Sequence, residues 1–93
     1  MKVTFSERAT ADLESIAEYI AEDDPVAAVA WVDRLVASAY RIGDSPMAGR
    51  ALPELKNPKI REVMLRRYRI VYRVERDHII ILTVFEGSRL LRL

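Results

Sequence analysis

The sequence contains no cysteine and a single histidine, His78. Without thiolates there is no disulfide framework, and one imidazole cannot build a histidine-based metal cluster, so the chain implies no metal and no cofactor. Only three glycines are present, and none forms a phosphate-cradling loop or a nucleophile elbow. No window reaches the roughly 18 consecutive apolar residues that would cross a bilayer. The opening MKVTF runs into polar residues instead of the apolar centre of a signal peptide. These absences lead to the expectation of a cytoplasmic protein with no membrane segment.

What is present suits a small folded unit. Ninety-three residues, 51% hydrophobic and 31% charged, fit a single domain over 1–93 that buries about 60 to 65% of its unfolded surface. Trp31, Tyr40, Tyr68, Tyr72 and Phe85 stand where a core is expected. The net charge of +1 conceals a division. Residues 1–43 carry four bases against eight acids, a balance of −4, and the remainder carries eleven against six, a balance of +5. Such asymmetry points to a basic surface for an acidic protein, a peptide or a nucleic acid, or else to two ordinarily solvated faces.

Along the chain, Val3 and Phe5 share one side of a short first strand. Ser6 is a helix N-cap, and Ala9, Leu13, Ile16, Ala17 and Ile20 follow the spacing of one buried helical stripe. Asp24-Pro25 ends that helix and caps a second, because proline disfavours helical geometry in the preceding residue and suits the first helical position itself. Ala28, Val32, Leu35, Val36, Ala39 and Ile42 form the second stripe, and Gly43 offers a left-handed C-terminus. Residues 44–58, DSPMAGRALPELKNP, hold three prolines. The expectation is an ordered loop pinned over the helical pair by Met47, Leu52 and Leu55.

Ile60–Arg66 and Tyr68–Glu75 read as strands joined by a tight turn at Arg66-Arg67, and Ile79–Phe85 as a last strand after a turn containing His78. Tyr68, Ile70, Tyr72 and Val74 leave one face of their strand; Arg67, Arg69, Val71 and Arg73 leave the other. The last strand is apolar on both faces, as in a strand covered above and below. Two helices cover only one face of a sheet, so the other is closed by a few of its own side chains or by another polypeptide. The fold class is α+β, β-α-α-β-β-β, with a helical hairpin on one face of a small, mainly antiparallel four-stranded sheet.

For chemistry, Arg69 on the middle strand and Arg89 after Gly87 are expected to converge as a phosphate or carboxylate clamp, with pairing to Glu62, Glu75 or Glu86 as the alternative. Arg61, Arg67 and Arg73 are further candidate functional bases. Trp31, Lys56, Lys59 and Arg66 are candidate partner contacts, Trp31 doubling as a core-edge residue. Lys56, Lys59, Arg61, Arg66 and Arg67 read as one cluster around the loop and the hairpin mouth. No exposed aromatics interleave with them, so no stacking platform for a single strand can be argued. His78 is expected to be solvated in its turn, and Tyr68 and Tyr72 to belong to the core.

Over nearly its whole length the chain resembles the RelE/ParE superfamily of type II toxins. The segments that carry the resemblance are ERATADLESIAEYIAEDDPVAAVAWVDRL, SPMAGRALPEL, IREVML, YRIVYRV and the terminal EGSR. It implies a toxin held in a hetero-oligomer by a cognate antitoxin, of ribbon-helix-helix ParD-like type with an acidic wrapping segment. RelE-like members cleave messenger RNA in the ribosome with basic residues on the strand before YRIVY, an arginine within it, an arginine after the final glycine and a tyrosine beyond. Arg69 and Arg89 match that pattern. Glu62 and Met64 stand where lysines are expected, and no such tyrosine occurs by Leu93. An acid there would repel a phosphate. The departures favour the ParE-like branch, which implies a non-enzymatic inhibitor of DNA gyrase. An endoribonuclease of RelE type and a non-toxic antitoxin-binding homologue are the alternatives.

Overall fold

The structure, a computed structural model, describes residues 1–89 and Leu91. In chain order it comprises β1 (Lys2–Phe5), α1 (Glu7–Ala21), α2 (Pro25–Arg41), a short 3₁₀ turn (Ile42–Asp44), β2 (Arg50–Ala51), β3 (Ile60–Leu65), β4 (Tyr68–Val74) and β5 (His78–Glu86). Both expected caps form. The Ser6 hydroxyl oxygen accepts from the Ala9 amide at 3.0 Å and its O–H donates to the Leu82 carbonyl at 2.9 Å, so the start of α1 is tied to the sheet. The Asp24 carboxylate accepts from the Ala27 amide at 3.1 Å with Pro25 at the first turn of α2.

Gly43 corrects its expectation. It has no positive φ, because the chain tightens into the 3₁₀ turn instead of reversing. Its need for glycine is steric: a Cβ there would stand 2.3 Å from the Met1 carbonyl oxygen. The left-handed residue is Arg66, φ 53°, the first of the two residues joining β3 to β4. Non-glycine residues rarely occupy that region, and they persist there only where their surroundings hold them.

The sheet has five strands in the order β1-β5-β4-β3-β2, with β1 and β5 parallel and every other pair antiparallel. The fifth strand, missing from the sequence reading, is the two-residue β2 against Arg61 and Glu62. It is too short to show periodicity, and lies at the edge, where flanking prolines are tolerated. β5 stands between β1 and β4 and is apolar on both faces because both are covered, Ile79 and Ile81 by the helices and Leu82 and Phe85 by the cluster around Leu52. Its register skips a residue: Val71 opposes Thr83, whereas Tyr72 opposes Ile81. β1 ends at the Phe5–Ile81 pair. Beyond it, Asp12 of α1 accepts from the Val84 amide at 3.0 Å and the Thr83 hydroxyl at 2.5 Å, closing part of the edge that β1 leaves open.

The helical face buries Leu35, Ile70, Tyr72, Ile79 and Ile81. On the other, Leu52, Ile60 and Val71 are buried with Leu55, Leu82, Phe85 and Leu91 packed against them. The loop therefore closes the second face, not the helical pair as expected. Leu52 and Leu55 do the pinning, whereas Met47 is 56% exposed. Tyr40 also departs from its expected core position: it is exposed, touching Phe5 edge-on. His78 begins β5 instead of sitting in the turn, with Nδ1 2.7 Å from the Asp77 carboxylate.

Candidate functional site

The strand alternation of β4 sends its arginines to the face opposite the helices, and there Arg69 is almost fully buried. A buried guanidinium requires carboxylate partners. Arg69 has two. Its Nε donates to Glu62 at 2.5 Å, and its two terminal nitrogens donate to Glu54 at 3.0 and 3.2 Å in a bidentate pair. Glu62, itself buried, accepts in addition from Arg50 Nε at 2.5 Å. The Phe85 ring lies 5.1 Å from the Arg69 guanidinium carbon. The hydrogen bonds from Arg69 hold the Glu54 carboxyl below its ordinary range, and those carboxylates raise Arg69 further against its burial.

The clamp expected from Arg69 and Arg89 is thus not assembled. Arg69 turns to Glu62, one of the partners weighed for it, and to Glu54, which sequence reasoning missed. Glu54 comes from a loop 15 residues away with no periodicity to announce its direction. Two more candidates are engaged locally: Arg73 pairs with Glu75, and Arg61 donates to the Gly49 carbonyl at 2.8 Å. Tyr72, in the same region, donates to the Pro46 carbonyl at 2.7 Å and accepts from the Gly49 amide at 3.2 Å. Burial pushes its phenol pKa up.

A different set of cations converges at the Arg66-Arg67 turn. A depression of about 530 Å³ between the helices and the turn is lined by Ile20, Ala27, Ala30, Trp31, Arg34, Arg66, Arg67 and Tyr68. A second, of about 300 Å³, is lined by Tyr19, Arg67, Tyr68, Glu86 and Arg89. They share Arg67 and Tyr68. Trp31 is half-buried with its ring 5.9 Å from that of Tyr68, and the guanidinium carbons of Arg34 and Arg66 lie 5.0 and 5.9 Å from its centroid. Ser88 holds the Glu86 carboxyl below its ordinary range, with the charges of Arg67 and Arg89 adding to the effect. Among the described residues no carboxylate lies within ion-pairing distance of Arg34, Arg66, Arg67 or Arg89.

The fold therefore unites Trp31, Arg66, Arg67 and Arg89 and adds two residues that the sequence reading did not single out, Arg34 and Tyr19. Arg34 was legible in principle, one turn after Trp31 on the same helix face. Lys56 and Lys59 are corrected out of the cluster. They are exposed near the far end of the β3–β4 hairpin, where Ile60 opposes Arg73. That end is about 17 Å along the strand from the turn.

Residues 3–91 match the family described as the ParE toxin of the type II toxin-antitoxin system, parDE. The chain belongs to the ParE toxin family. Among solved structures, it is similar to a chain of the chromosomal ParDE toxin-antitoxin system of P. aeruginosa, with a TM-score of 0.78 and 24% identity over 92% of this chain and 95% of that one. A conserved hypothetical protein of Helicobacter pylori, solved in solution, is more distantly alike, with a TM-score of 0.58 and 18% identity over 98% and 99% of the two chains. Both likenesses concern the fold. No functionally curated protein matches the sequence. In this ParE toxin the buried Glu62–Arg69–Glu54 array ties β3, β4 and the loop together, and among the described residues Arg34, Arg66, Arg67 and Arg89 gather around the two depressions.

Proposed function

We propose that this ParE-family toxin arrests growth in the cytoplasm by binding DNA gyrase and trapping its cleaved DNA complex, and that a cognate ParD-like antitoxin neutralises it. The observation that carries the choice of target class is the engagement of Arg69. Metal-free RNA cleavage requires a free cation at the phosphate and groups positioned to take and give a proton. Arg69 is committed to Glu62 and Glu54, the Tyr72 hydroxyl is committed to the loop, and His78 pairs with Asp77 at the start of β5. Binding, not hydrolysis, is the chemistry that such a surface supports.

Incubating the purified toxin with gyrase and relaxed plasmid should reduce supercoiling and accumulate linear DNA. Cleavage confined to ribosome-bound message would instead establish the RelE-type reading, which the match of Arg69 and Arg89 keeps as the second one. Unimpaired growth on expression without an antitoxin would identify a homologue that only binds its antitoxin.

A further inference from the structure

The Trp31 depression and its neighbour, which share Arg67 and Tyr68 and are taken together as one groove, combine two features that occur together in surfaces for single-stranded nucleic acid. The cations are all arginines, Arg34, Arg66, Arg67 and Arg89, opposed in the lining by Glu86 alone. Three rings line the same depressions: Trp31 and Tyr68, both half-buried, and Tyr19, 73% exposed. Guanidinium forks match phosphate oxygens, and every base has a π-face that stacks on an aromatic ring or a guanidinium plane. Arg66 occupies a left-handed conformation that glycine would adopt without strain, and its guanidinium carbon lies 5.9 Å from the Trp31 centroid.

We infer that this groove binds a segment of single-stranded nucleic acid, with the four arginines on its phosphates and bases stacked on Tyr19 and on the guanidiniums that flank Trp31. An acidic peptide would satisfy the charges but offers no planar group to the exposed Tyr19 ring or to the guanidinium planes beside Trp31. A duplex keeps its bases stacked on each other and offers the groove only phosphates. The inference is independent of the choice of gyrase as target, because it concerns binding by the toxin alone.

Trp31 is the single tryptophan, so its fluorescence reports this groove directly. Titrating the full chain with a single-stranded oligothymidylate of about 12 nucleotides should quench the emission. The logarithm of the binding constant should fall against that of salt with a slope of about −2 to −3, from four arginines at about −0.7 each. Arg66→Gly suits the turn and keeps the fold. It should weaken binding about tenfold and reduce the slope by about 0.7. Arg73→Ala, on the other face, should leave binding unchanged. The inference is overturned by any of three results: no quenching at about 50 mM salt, binding by Arg66→Gly equal to that of the parent, or equally tight binding of the duplex or of a polyglutamate peptide.

Discussion

Glu62 is one of a few charged side chains buried in this small fold, and its neighbours decide what its loss would do. It accepts from Arg69 and Arg50 together. Glu62→Ala would leave Arg69 buried with only the partly exposed Glu54, and should lower unfolding free energy by about 3 kcal/mol in urea titration. Replacing Glu62 and Arg69 together by leucine and methionine should cost less than the single change, since no buried charge is then orphaned. Acid should act through the same array and through two carboxyls outside it. Arg69 depresses the Glu54 pKa from its ordinary 4.5, and hydrogen bonds from His78 and Ser88 depress Asp77 and Glu86. Stabilisation from a depressed carboxyl is complete above its unfolded value and is lost as pH falls through the folded one. The melting temperature should therefore fall as pH drops below 4.5, and less steeply for Glu54→Gln.

Among the elements, β5 depends on a residue outside the sheet. Asp12 of α1 takes the place of a strand partner at Val84. Asp12→Ala would strip an acceptor from two donors, one of them the hydroxyl of buried Thr83, and should cost about 2 kcal/mol. Hydrogen exchange should locate the loss at the Val84 amide, with the α2 amides protected as before. The elements legible in sequence were those written in local patterns: two capped helices with apolar stripes, and strands with two-residue alternation. Contacts made by the 44–58 segment were not legible. Leu52 and Leu55 are two apolar residues in a proline-rich run, and nothing in that run states which face of the sheet they reach. Arg66 could be placed in the turn from strand lengths. Its left-handed backbone could not, since two adjacent arginines carry no glycine signal.

At the scale of the whole molecule, the two faces of the sheet divide the work. The helical hairpin buries the larger core. The second face is sealed by a loop with little regular structure, so Leu52→Ala should destabilise by about 2 to 3 kcal/mol and raise protease sensitivity around residues 50–58 before the helices loosen. The charge asymmetry visible in the sequence proves coarser than the surface it forecast. Arg69, Arg73 and Arg50 are spent within the second half on Glu62, Glu54 and Glu75. The acidic first half, for its part, contributes Arg34 to the basic groove.

The central position of β5 has a temporal meaning. The first strand finds its partner in the last strand of the described chain, where the Thr4 hydroxyl donates to the Ile79 carbonyl across 75 residues. Because β1 pairs only with β5, a nascent chain that has not yet released β5 can pair β2, β3 and β4 but leaves β1, and the helical hairpin that follows it, unattached to that sheet. The groove at Trp31 likewise lacks its Arg89 side until that strand is complete. Completion of the sheet therefore waits on the emergence of one nine-residue strand.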